Sequence, residues 1–419
     1  MQFKDESGRV GGISRNRSVT KTGLSERPAQ GHAAGMKSNC FYPAVVALGL
    51  VTLGVGHAQA ASGQPAIGPT GVIVQSQFGG QIFGFDIDQA GNEGILCEAQ
   101  TLDNGRTHAA IETFDQTTGA IVKVIQETQT HDDYVTLGVV GNSVGLVERE
   151  HSTGHLNVVR TFSTLNPLRR NRISGMWTPP VGTDHLVSQV SRNQGVPNVA
   201  VYALDISGHF RPTLFTSDVA ANTFGPVVSI SDGDFVNGGD PPMAYDNVAN
   251  RAVLGHATLG NPFIPGKIAT VDLTTGAFVK FDGVGLGDVN GIAVDPTTGT
   301  ACTTTEIDFS VEFYDIANQA GSIQTLPGAF NQIFSGADVQ FDQVNRLFLV
   351  AQPVSSTAGS GSSIHVYDVA GNLIESIDGL NFSNVGNVVP AHIALNPRKR
   401  IGFVDGPDVA AGQIQSFTY

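Results

Sequence analysis

From about residue 240 to the carboxy terminus, short apolar runs alternate with polar corners that end in Asp or Asn. Met243–Asp246, Ile292–Asp295, Val339–Asp342 and Ile393–Asn396 are four copies, their corners 49, 47 and 54 residues apart. Each is followed by turn residues, such as Pro296-Thr297-Thr298-Gly299 or Asn345-Arg346, and then by a second apolar run, such as Arg346–Val350 or Ile401–Val404. That pattern predicts a β-hairpin. A second element recurs 20 to 26 residues later as a strand ending in Asp before a Gly-bearing turn: Phe114-Asp115, Leu204-Asp205, Val271-Asp272, Tyr314-Asp315 and Tyr367-Asp368. One more apolar strand follows it, for instance Ala277–Phe281 or Leu373–Ile377. Four strands per unit of about 40 to 50 residues predict an all-β fold built from β-propeller blades.

The first strand of each unit has the character of an innermost blade strand, which must be apolar on both faces. Its middle position is small in Ala244, Ala293 and Ala394, with Gln340 the exception. Third-strand ends at residues 114, 162, 204, 271, 314, 367 and 417 predict seven four-stranded blades, six and eight being the neighbouring counts, with an insertion near 216–240. Residues 72–77 and 81–87 lack a unit of their own. Pairing them with the carboxy-terminal strands Ile401–Val404 and Ile414–Phe417 would close the ring and remove its edges.

Composition agrees with strands. The chain of 419 residues has 51 Gly and 23 Phe, and 14% of its residues are charged. Residues 1–35 form a basic, Gly/Ser-rich stretch expected to be a disordered or non-native extension ahead of Met36. Residues 36–60 resemble a secretory signal: Lys37, the uncharged run Ala44–Val55, then Ala58-Gln59-Ala60 as the cleavage site. The apolar run is short of the about 20 residues that span a bilayer, so no membrane insertion is expected. Residues 61–419 are then one periplasmic or extracellular domain. Setting aside residues 1–60, which hold 7 basic and 3 acidic residues, leaves 16 basic against 34 acidic side chains, net −18. Such a body repels phosphate backbones, which argues against nucleic acid as a partner. A monomer is expected. Cys97 and Cys302 read as two buried thiols, with a disulfide the alternative in an oxidising compartment.

Through Asn290-Gly291-Ile292-Ala293-Val294-Asp295-Pro296 and its looser copies, the chain resembles secreted propellers of the YVTN or NHL-repeat type over roughly residues 240–400. The resemblance implies a fold and no particular activity, because propellers serve as binding proteins, lactonases, lyases and quinoprotein dehydrogenases alike. Gluconolactonase-like propellers hold a divalent metal with Glu, Asn and Asp in the channel. Only Asn290-Gly291 matches that pattern here, so their metal site does not carry over.

In a propeller, the loops before the innermost strand and after the second strand open on one face around the channel. Asp240, Asn290, Asp338 and His392 stand before or at first strands; His256, Glu306, Gln352 and Asp405 stand at second-strand ends. This polar ring is the candidate ligand mouth. His256, Glu306, Asp338 and His392 are its candidate metal ligands, for Ca²⁺ or Mg²⁺ through oxygen or Zn²⁺ through imidazole. Three functions follow: recognition of a small molecule, glycan or protein without catalysis; a metal-dependent lactonase-like hydrolase or lyase at the same mouth; or a structural cell-envelope module.

Other motifs have plainer readings. Gly141-Asn142-Ser143-Val144-Gly145 fits a hydrolase nucleophile elbow, but apolar runs on both sides predict a hairpin turn. Asp232-Gly233-Asp234 fails the calcium-loop register at Val236. Glu148, Glu150, His151 and His155 read as a charged loop. Arg169-Arg170-Arg172 and Arg398-Lys399-Arg400 are basic clusters, the second a solubilising turn tip. Ser355–Ser363 reads as a flexible spacer, a loop that flexes over the mouth being the alternative.

Overall fold

A computed structural model of the chain describes residues 66–419, apart from 90, 131, 141–142, 151–155, 164–174, 178–197, 206–210, 219–222, 230–241, 257–264, 288, 306–309, 326–337, 353–361, 383–391 and 406–411. Among the described residues all regular structure is strand, arranged as seven antiparallel sheets, six of four strands and one of three. The expectation of an all-β chain of four-stranded units holds.

The chain opens with β1 (Gly68–Gln75). Sheet I then comprises β2 (Gln81–Ile87), β3 (Glu93–Thr101), β4 (Thr107–Asp115) and β5 (Ile121–Thr130), and sheet II β6 (Asp132–Val140), β7 (Ser143–Glu150), β8 (Leu156–Ser163) and β9 (Gly175–Trp177). Sheet III has β10 (Asn198–Asp205), β11 (Arg211–Asp218) and β12 (Thr223–Ser229). Sheet IV contains β13 (Met243–Asp246), β14 (Arg251–His256), β15 (Pro265–Asp272) and β16 (Phe278–Leu286), and sheet V β17 (Val289–Asp295), β18 (Thr300–Thr305), β19 (Ser310–Asp315) and β20 (Ala320–Thr325). Sheet VI holds β21 (Val339–Asp342), β22 (Leu347–Gln352), β23 (Ser362–Asp368) and β24 (Leu373–Leu380). Sheet VII runs β25 (Ile393–Asn396), β26 (Ile401–Asp405), β27 (Gln413–Thr418), and then β1.

The amino- and carboxy-terminal strands therefore pair, with Gly68 opposite Thr418 and Gln75 opposite Gln413. Residues 81–87 behave differently from expectation, since they begin a sheet of their own. Leu204-Asp205 also differs: it ends β10, which lies at one margin of sheet III, where a third strand was expected. Part of the expected insertion is ordinary strand, β11 and β12.

Successive sheets share apolar clusters, and the alternation of each strand decides which neighbour it meets. Met243 and Tyr245 join Leu214 of sheet III, whereas Ala244, between them, packs toward Ile292 and Val294 of sheet V. Ala293 then meets Val339 and Phe341 of sheet VI, Leu349 and Ile364 meet Ile393 and Leu395 of sheet VII, and Ala394 and Phe403 meet Ile82, Phe85 and Phe114 of sheet I. Small residues at these middle positions let neighbouring innermost strands approach. Third-strand aromatics bridge the sheets, with ring centroids 5.4 Å apart for Phe114 and Phe403 and 5.5 Å for Phe313 and Tyr367.

The recurring Asp has a structural task. After the first strand, its Oδ1 accepts amides two and three residues on, from Val248 and Ala249 at Asp246 and from Val344 and Asn345 at Asp342. The residue four positions on is left-handed: Asn250, Gly299, Arg346 and Arg400, with φ of 48°, 71°, 55° and 52°. Asp115 and Asp272 repeat this in the third-strand turns, and the amides that bind them, led by Thr118 and Thr275, hold both carboxyls below the usual carboxylate range.

The same turns tie sheets to one another. Arg346 reaches Asp295 of sheet V, the Asn345 amide donates to Pro397 O at 3.2 Å, and Asn396 donates to Gln116 Oε1 of sheet I at 2.8 Å. Lys399 Nζ donates to Asn92 Oδ1 at 2.7 Å, and Arg400 lies 5.6 Å over the Tyr419 ring. Arg398-Lys399-Arg400 is thus more than the solubilising tip its composition suggested: Lys399 joins sheet VII to sheet I, and Arg400 packs on Tyr419 within sheet VII.

Candidate functional site

The face opposite those turns carries the first-strand starts and second-strand ends, because the two strands are antiparallel partners. Asp338 and His392 immediately precede β21 and β25, Asn290 is the second residue of β17, and Gln352 and Asp405 end β22 and β26. His256 ends β14, its backbone opposite Lys267. Asp240 and Glu306 lie outside the described residues, as do Asp232-Gly233-Asp234, His151, His155 and Arg169-Arg170-Arg172.

Three of the nominated residues meet across sheets VI and VII. The His392 amide donates to Asp405 Oδ2 and the Ile393 amide to Asp338 Oδ2, both at 2.8 Å. Two carboxylates thus hold consecutive amides at the start of β25. Asp338 also accepts from the Gln340 amide at 3.0 Å. Gln340, the exception among the small middle residues, supports the rim in this way. The half-buried His392 ring sets its edge against Phe85 of sheet I, centroids 6.4 Å apart. Gln352 goes elsewhere: it is buried, and its Oε1 bonds His365 Nε2 within sheet VI.

His365 belongs to a set that the apolar pattern concealed. In each third strand the residue two places before the aromatic or aliphatic end faces the preceding sheet, and it is Glu112, Glu312, His365 and Gln415 in sheets I, V, VI and VII. All but Gln415 are buried. Glu112 Oε2 accepts the Gln77 amide at 2.9 Å, and Gln415 Oε1 accepts that of Asn381 at 3.3 Å, so both grip the connection arriving from the preceding sheet. Glu312 accepts from Thr303 at 3.2 Å and from Tyr314. Burial pushes the His365 imidazole down to about 4, leaving it neutral, with Nδ1 2.8 Å from Ser376 Oγ. A charged or imidazole side chain in the middle of a largely apolar strand, as in Ala-Ala-Ile-Glu-Thr-Phe-Asp, was the available signal.

The nucleophile-elbow pattern lies between antiparallel strands: Val140 ends β6 and pairs with Ser143, which begins β7. That geometry has no helix to follow the serine. Cys97 and Cys302 are buried thiols in sheets I and V, not joined in a disulfide, and burial raises the Cys302 thiol. Among the described residues no three His, Cys, Asp or Glu side chains gather as a metal site. No helix there is long and apolar enough to cross a membrane.

Sheets of this kind, stacked face to face with polar residues converging at one set of strand ends, define a propeller-type fold. The solved structure of U3-55K, a propeller-type WD40 protein, is similar at a TM-score of 0.57 and 10% identity, covering 84% of this chain and 100% of that one. At such identity the likeness concerns the fold alone. No family model matches the chain, and no curated protein does.

Proposed function

We propose that the chain is an exported, monomeric, seven-bladed β-propeller of the YVTN or NHL-repeat type that recognises a small molecule, glycan or protein at its channel mouth without transforming it. Seven successive sheets, with β1 completing sheet VII and sheet VII packed on sheet I, support a ring closed by its own termini. The observation that carries the binding reading is the capture of the His392 and Ile393 amides by Asp405 and Asp338. Carboxylates used this way stiffen a rim, and a preorganised rim favours recognition. The same commitment draws Asp338 and Asp405 away from metal ligation, which weakens the lactonase-like alternative.

The test is a thermal-shift screen of neutral sugars, sugar acids, short peptides and Ca²⁺, Mg²⁺ or Zn²⁺ against the purified protein and a His392→Ala, Asn290→Ala double variant. A class of compound that raises Tm in the parent and not in the variant supports recognition at the mouth. Chelator-sensitive lactone hydrolysis by the parent would replace this reading with the enzyme, and indifference to every class would leave a structural envelope module.

A further inference from the structure

The connection 76–80, which carries the chain from the outer strand of sheet VII to the innermost strand of sheet I, is held by two buried glutamates. Glu98 Oε2 accepts the Gly80 amide at 2.6 Å, its Oε1 accepts that of Phe78 at 3.2 Å, and Glu112 accepts that of Gln77. Ser76 N–H bonds Gly412 O at 2.8 Å at the same place. Both glutamates are 0% exposed. They lie diagonally on one face of the sheet, since Glu98 pairs with Ala110 and Leu96 with Glu112. No donor among the described residues reaches Glu112 Oε1. A buried anionic oxygen without a donor is unfavourable, whereas a protonated one can donate to Glu98.

We propose that this junction is a proton-operated latch: one proton shared by Glu98 and Glu112 holds the connection 76–80 on the mouth rim, and losing it releases that connection. The groups around the pair are few. His108 of β4 is buried nearby with its ring 4.4 Å from Phe78, and Glu127 of β5 stands opposite Ala110 in register. The sheet VII side presents Val74, Ala394, Phe403 and Ile414, with the His392 ring set against Phe85 of β2, and β2 itself presents Ile82, Phe85 and the buried Asp86. Burial raises the Glu112 carboxyl to about 7. The Gln77 amide and His108 work against that rise and Glu98 adds to it. A carboxyl raised in the closed form favours closure while protonated, so the latch is tightest below the ordinary Glu range. It weakens as pH climbs to about 7 and is constant beyond. This goes beyond recognition at the mouth and would stand if that reading failed, because its readout needs no ligand.

The experiment is site-resolved hydrogen exchange at the Gln77, Phe78 and Gly80 amides of the intact protein from pH 5 to 8, corrected for intrinsic chemistry, with the Glu112 carboxyl followed by carbon NMR. Protection should fall about tenfold per pH unit up to near neutrality and then level off. Glu112→Gln should flatten the profile, and His108→Gln should preserve it. A flat parental profile, an unchanged slope in Glu112→Gln, or Glu112 titrating in the ordinary carboxylate range would overturn the latch. If Glu112→Gln does not fold, the parental profile and the carboxyl titration decide alone.

Discussion

Tyr419, the last residue, donates its phenol to Asp342 Oδ2 at 2.9 Å, across the junction from sheet VII to the first turn of sheet VI. The ring is buried, and burial, reinforced by Asp342, raises the hydroxyl well above its usual range, so it stays a donor. Tyr419→Phe should cost about 1.5–3 kcal/mol, the worth of a hydrogen bond to a charged group. Chemical denaturation should show this as a lower midpoint at unchanged slope.

At the opposite face, Asp338→Ala should strip the Ile393 amide of its acceptor and destabilise by about 1–3 kcal/mol, whereas Asp338→Asn retains an oxygen there and should lose less. Amide exchange at Ile393 should separate the two. Equal effects would mean that charge, rather than the acceptor, matters.

Gly402 lies under Phe417, where a Cβ would stand 2.1 Å from the ring; Gly94 repeats this beneath Phe114. Gly402→Ala must displace an aromatic that also packs on sheet VI, so a loss of about 1–3 kcal/mol is expected from overpacking. Thermal unfolding should report it.

His365 gives a pH dependence of its own. Its folded pKa of about 4 lies below the ordinary 6.5, so its contribution is complete above 6.5 and declines as pH falls toward 4. That slope opposes the one from Glu112 over much of the same range. Global stability should therefore vary little between pH 5 and 6.5 in the parent and fall more steeply with rising pH in His365→Gln, as measured by urea midpoints.

For export, intact mass of the protein secreted by its native host should place the new amino terminus at Ala61. A mature chain beginning elsewhere would move the leader boundary.

The units from sheet IV onward were legible because their turns share one chemistry, Asp or Asn at the corner and a left-handed residue four places later. In sheet II Val140 pairs directly with Ser143, and the first turn of sheet I is closed by the Asp88 amide on Glu93 O, so neither displays that signature. The placement of Asp338, His392 and Asp405 at one set of strand ends was legible from topology, since strand polarity alone assigns them to one side. What Glu98, Glu112 and His365 grip was not: their partners include the backbone of a separate connection and side chains on other strands, a relation that no periodicity encodes. The bond from Gln352 to His365 was hidden for the same reason.

Because Gly68 sits opposite Thr418, the two ends of the folded chain are neighbours. A ribosome makes β1 long before β27, so β1 has no pairing strand in sheet VII until β27 has been made. A circular permutant of residues 66–419 that joins Tyr419 to residue 66 through a short linker and starts afresh between β6 and β7 would supply both partners as one hairpin, and should mature faster than the parent.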